Sequence, residues 1–123
     1  MAKILIADDD VIMTEILRFR LDGARHEVIN AADGMEALAM AKAEDPDLIV
    51  LDYMMPVVAG PDVLAKLKAE PRTAKIPVIM LTARNGEKDI VSALKAGASD
   101  YMTKPFIPQE LLVRIEKLLL AVQ

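Results

Sequence analysis

Six side chains, scattered along the sequence, could do chemistry together: Asp8, Asp9 and Asp10 in succession, Asp52 in mid-chain, then Thr82 and Lys104. Carboxylates brought close together cannot all stay ionised without compensation, so either protons are taken up at raised pKa values or a hard cation neutralises the cluster. An oxygen-only donor set with positions left for water suits Mg2+. Lys104 adds a second positive charge, and a site built from these groups favours an incoming group rich in negative oxygens, such as a phosphoryl group. Two chemistries then stand open, phosphate binding or attack by a carboxylate on phosphorus. Asp52 is the best nucleophile because it stands alone after the apolar run Leu48 to Leu51, while the trio is free to hold metal. Metal and lysine would offset charge on the transferring oxygens, and the Thr82 hydroxyl and Ala83 N–H are candidate donors to them.

Each of these residues also has a plain local role. Asp10 suits a helix N-cap, where a carboxylate accepts from orphan N–H groups. Asp52 could open a turn before Pro56, Thr82 could simply end a strand, and Lys104 could be surface. What sets them apart is that each falls at the carboxyl end of an expected strand.

Those strands come from an alternation of short β-branched runs with helical patterns, repeated five times. Strands are expected at Lys3 to Ala7, Glu27 to Ala31, Asp47 to Leu51, Ile76 to Leu81 and Ser99 to Thr103. Helices are expected from Val11 to about Leu21, from Asp33-Gly34 through Ala43, from Gly60-Pro61 to before Pro71, from about Glu87 to Ala96, and from about Gln109 to Leu120. The first helix carries Ile12, Ile16 and Phe19 on one side with Met13 and Leu17 beside them; the last offers Leu111, Ile115 and Leu118 to a core. Two strands are apolar through successive residues, the pattern of strands covered on both faces. The economical solution is an α/β fold: a five-stranded parallel sheet, doubly wound, with right-handed crossovers and helices on both faces. In such a sheet ligands bind at the carboxyl edge where strand order reverses. If the first and third strands are neighbours there, Asp52 faces the aspartate trio.

The chain has 123 residues and a formal charge of -4, enough for one domain spanning 1–123 with a real core and no staple. It has no Cys and one His, His26, which excludes thiol redox chemistry, Cys-based zinc sites and polyhistidine metal sites. The longest apolar stretch, Tyr53 to Pro61, is far too short to span a bilayer, and the amino terminus lacks the pattern of a secretory peptide. A cytoplasmic protein is expected. Without a Lys/Arg block, direct binding to nucleic acid is not.

Asp8-Asp9, Asp52-x-x-Met55-Pro56-x-x-x-Gly60, Thr82-Ala83, Gly97-Ala98-x-Asp100-Tyr101 and Lys104-Pro105-Phe106 together resemble the receiver domain of two-component response regulators, the family that includes the single-domain chemotaxis regulator. The resemblance covers essentially the whole chain. It implies a flavodoxin-like sheet of strand order 2-1-3-4-5, with Asp52 as phosphoacceptor served by a histidine kinase or phosphotransfer protein. Asp9, Asp52 and the Met54 carbonyl would ligate Mg2+, with Asp8 acting mostly through a metal-bound water. It further implies that Lys104 bonds to the acyl phosphate, with a cis peptide before Pro105, and that Thr82 and Tyr101 form a switch pair. The output face would be the fourth helix, fifth strand and fifth helix, acting on a downstream protein or on an output domain beyond the chain, with a homodimer on phosphorylation as a further possibility. Such a protein is no metabolic enzyme, yet it catalyses its own phosphorylation and dephosphorylation. Ala59, Pro61 and Asp10 depart from the commonest family text without removing a reacting group, and Met54 and Arg84 stand where water access to the acyl phosphate is tuned.

Three other readings compete. Asp8-x-Asp10-Val11 matches the opening motif of a Mg2+-dependent phosphohydrolase of haloacid dehalogenase type, with Asp8 as nucleophile and Asp10 as acid/base, but that family's later acidic pair is missing and Asp52 is left without a task. A receiver-like binding module that is never phosphorylated would leave the reacting residues idle. A flavin-binding protein of similar topology would lack its Ser/Thr/Gly-rich phosphate loop after the first strand.

Overall fold

A computed structural model describes residues 2–83 and 86–121. Five strands, β1 (Lys3–Ala7), β2 (Glu27–Ala31), β3 (Leu48–Asp52), β4 (Val78–Thr82) and β5 (Asp100–Thr103), alternate with α1 (Val11–Gly23), α2 (Gly34–Glu44), α3 (Gly60–Ala69), α4 (Glu87–Lys95) and α5 (Pro108–Ala121). All strand pairs are parallel, in the order β2-β1-β3-β4-β5. The α/β, doubly wound, flavodoxin-like architecture is as expected. β3 and β4 each run one residue further than the sequence pattern indicates, so Asp52 and Thr82 are the last residues of their strands.

The unbroken apolar runs are explained by the two faces. Leu5, Ala7, Ile49, Leu51, Val78 and Met80 join one core with α2 and α3 residues such as Ala37, Ala41, Leu64 and Leu67. The intervening Ile4, Ile6, Leu48, Val50, Ile79 and Leu81 join a second core with Leu17, Leu21, Leu111 and Ile115. Alternate side chains point to opposite faces of a strand, so burial on both sides needs apolar residues at every position.

α1 differs from its expected presentation. The sheet takes Leu17 and Leu21, with Thr14 also buried, while Ile12, Ile16 and Phe19 are 75, 46 and 79 % exposed. α5 buries Leu111 and Ile115, with Leu112, Leu118 and Leu119 partly buried at its edges. Among the described residues no helix is long and apolar enough to cross a membrane.

Candidate functional site

The register gathers the reactive residues. Ala7 is opposite Leu51, and Asp52 is opposite Leu81, so Asp8 and Asp52 emerge at one height along the carboxyl edge and Thr82 one residue further on. Asp8 continues the parity of Ile4 and Ile6, and Asp52 that of Leu48 and Val50, which turns both carboxylates toward the same side. Backbone bonds hold the edge: the Asp8 N–H donates to Ala31 O at 3.0 Å, Tyr53 N–H to Leu81 O at 2.8 Å, and Lys104 N–H to Thr82 O at 2.7 Å.

Carboxylate oxygens of Asp8, Asp9 and Asp52 lie within 4.8 Å of one another; Asp8 and Asp52 are buried and Asp9 is exposed. From the far side the Lys104 ammonium donates to Asp8 Oδ2 at 3.2 Å and Asp52 Oδ1 at 3.1 Å. The peptide bond between Lys104 and Pro105 is cis. Burial, then the neighbouring Asp8 charge, pushes the Asp52 carboxyl up to about 6 from its ordinary 3.8, against the opposing pull of Lys104 and of a Met54 N–H bond. Burial draws the Lys104 ammonium down, but Asp52 and Asp8 outweigh it and hold the group above its usual range. One lysine thus fails to neutralise two buried carboxylates and an exposed third. The oxygen-only donors, with one side open to water, fit a hard divalent cation.

The remaining expected residues divide between the faces. Asp10 is the α1 N-cap: its Oδ1 accepts from Met13 N–H at 3.1 Å, and its own N–H donates to Asp8 Oδ1 at 2.9 Å. Thr82 is buried and shares the parity of Val78 and Met80; Tyr101, opposite Met80, packs half-buried against the core on that same face. The Met54 side chain is exposed, Ala83 is exposed at the strand end, and Arg84 lies outside the described residues.

Two features of the site escaped the sequence reading. The first is a groove of about 310 Å³ that runs between α1 and the segment after β5, lined by Ile12, Met13, Ile16, Phe106 and Pro108 and reaching Lys104. Its signal was present in the excess of apolar residues on α1. The second is the tightly closed β3–α3 loop. A Cβ on Gly60 would collide with the Asp52 carbonyl and lie 2.8 Å from Tyr53 Cα, so only glycine lets α3 start directly beneath the end of β3. The Gly60 N–H closes this loop on Tyr53 O at 2.9 Å.

The family model of the response regulator receiver domain matches residues 4–116. The alkaline phosphatase synthesis transcriptional regulatory protein PhoP of Bacillus subtilis is 44% identical over 117 residues, covering 95% of this chain and 48% of that protein. The chain spans about half the length of the first curated relatives it matches. Among solved structures, the receiver domain of the Francisella response regulator 1452 superposes with a TM-score of 0.95 at 32% identity, covering 100% of both chains. The Vibrio cholerae chemotaxis protein CheY4 superposes with a TM-score of 0.88 at 32% identity, covering 95% of this chain and 98% of that one.

Proposed function

The chain belongs to the response regulator receiver family, and from that premise we propose that it is a phosphorylation-activated switch with Asp52 as the phosphoacceptor. The observation that carries this reading is the Lys104 ammonium shared between buried Asp8 and Asp52, with a third carboxylate within 4.8 Å. In the transfer step an Asp52 oxygen attacks phosphorus of a phosphohistidine on a kinase or phosphotransfer protein. An O–P bond forms as the N–P bond breaks, and the imidazole nitrogen leaves with the electron pair. Asp8, Asp9, Asp52 and the Met54 carbonyl would hold Mg2+, which supplies charge neutralisation for the transferring oxygens. Lys104 pairs with the phosphoryl oxygens, and Thr82 and the Ala83 N–H donate to them. Hydrolysis of the acyl phosphate at the same site ends the signal, so the protein turns over its own modification.

The output follows from the shared face of Thr82 and Tyr101. A phosphoryl group adds charge and three strong acceptors at the edge of β4; drawing the Thr82 hydroxyl toward it alters the packing available to Tyr101 on that face. α4, β5 and α5 then form the face read by a downstream protein, an attached output domain or a second copy. It carries exposed Val91, Leu94 and Val113, and Arg114 joins Asp100 at 2.9 Å and Glu110 at 3.1 Å. The phosphodonor approaches from the other side, over exposed Ile12, Ile16 and Phe19 and the groove that leads to Lys104.

The phosphohydrolase alternative is disfavoured by hydrogen bonding. Asp10, its acid/base, is committed to capping α1, its Oδ1 accepting from Met13 N–H at 3.1 Å. Incubation with acetyl phosphate and Mg2+ followed by reductive trapping tests the assignment: the acyl phosphate is expected on Asp52 and absent in Asp52→Asn. Label on Asp8 overturns it.

A further inference from the structure

The β3–α3 loop is held at a point remote in sequence. Val57 sits at φ 70, a conformation that a β-branched residue adopts only under constraint, and Val58 N–H donates to Pro56 O at 2.8 Å, closing a three-residue γ-turn. The same Pro56 carbonyl accepts a second bond, at 3.2 Å, from the N–H of Gly34. Gly34 is the first residue of α2, so its N–H has no partner inside the helix. The approach needs glycine: a Cβ there would overlap the Val58 carbonyl oxygen and lie 2.6 Å from Val58 Cβ. Asp33 fixes the helix start by accepting from Glu36 N–H at 2.8 Å, and Glu36 reaches back to Ala32 N–H at 3.0 Å.

Between two pins hangs Met54. On one side Tyr53 is bound to Leu81 and Gly60, and on the other Pro56 is bound to Gly34 and Val58. The Met54 N–H donates to the Asp52 carboxylate, and its carbonyl is a proposed metal ligand. We infer that the first turn of α2, through Gly34, is a positioning element of the site: it docks the Pro56–Val58 turn and thereby sets where the Met54 peptide stands relative to Asp52. Gly34 acts through the loop and touches no reacting group. A constrained turn is released unless something outside it keeps it closed; Met55 and Val58 pack on the core, and the Gly34 N–H supplies the hydrogen bond that fixes the Pro56 carbonyl.

The inference rests on the Mg2+ reading above, and its test separates the two. Mg2+ affinity is measured by amide NMR titration, alongside urea midpoints, for wild type, Gly34→Ala and Gly23→Ala; nothing lies near a Cβ at Gly23. Gly34→Ala is expected to weaken Mg2+ binding roughly ten- to a hundredfold, the usual range for losing a group that orients a metal ligand, while Gly23→Ala leaves it unchanged. Folded Gly34→Ala that binds Mg2+ as wild type does overturns the inference and leaves the metal reading intact; wild type that binds no Mg2+ removes both. Should Gly34→Ala not fold, hydrogen exchange on wild type decides. Under conditions where exchange proceeds by local opening and not by global unfolding, Mg2+ is expected to slow the Gly34 and Val58 amides roughly tenfold more than the His26 amide at the opposite end of the sheet, and equal slowing at all three overturns the inference.

Discussion

Asp52 and Lys104 form an unequal pair, and their imbalance is measurable. Because the folded Asp52 value of about 6 lies above its ordinary 3.8, the folded protein binds more protons between those values. Its contribution to stability is therefore fully present below about pH 4 and lost as pH rises through about 6. Without metal, Asp52→Asn is expected to be more stable than wild type at pH 7.5 by roughly 1–3 kcal/mol, and urea titrations of the two proteins should converge as pH falls toward 4. Lys104→Met makes the opposite change, leaving buried Asp8 and Asp52 with no cation. It is expected to cost about 3 kcal/mol in metal-free protein at neutral pH, and a smaller loss in saturating Mg2+ checks that the missing charge is the cause. The identities of these residues could be read in advance because they are the polar residues that end apolar runs. What could not be read was the balance, since it depends on burial and on distances across three strands.

At the level of the element, contiguous apolar runs made β3 and β4 legible, and glycine, proline and aspartate marked most helix limits. The orientation of α1 was not legible. It has apolar residues on two flanks, and periodicity counts such residues without saying which flank the crossover lays against the sheet. The structure takes Leu17 and Leu21 and leaves Ile12, Ile16 and Phe19 outside. Leu17→Ala is accordingly expected to cost about 2–5 kcal/mol in urea unfolding, whereas Phe19→Ser should change stability by less than about 0.5 kcal/mol. If the exposed flank receives the phosphodonor protein, Phe19→Ser also slows transfer from a kinase while acetyl phosphate labels Asp52 at the wild-type rate. Equal slowing with both donors would place the defect in the chemistry. Gly34 and Val58, 24 positions apart, illustrate the other gap: a glycine after an N-cap aspartate reads as a helix start, and only the folded chain shows a carbonyl packed against it.

For the molecule as a whole, the sheet order puts the carboxylates at the point where the chain reverses direction of winding, and the two cores lie on either side of them. Anything that neutralises the cluster stabilises the entire fold by mass action. Mg2+ at a hundredfold excess over its dissociation constant is expected to add about 2.7 kcal/mol, seen as a higher urea midpoint that EDTA reverses. Asp9→Asn, which alters an exposed carboxylate and no core contact, should retain the metal-free midpoint and lose most of this increment.

Of the nine residues of α4, only Ala93 is buried. The interior therefore places almost no demand on that helix's text, and its outward letters can be rewritten without renegotiating the sheet beneath. If α4 belongs to the output face proposed above, a lineage could redirect such a protein to a new listener by editing one short stretch while the reactive edge stays as it is. Insulation between related signalling circuits would then be a matter of spelling on this helix.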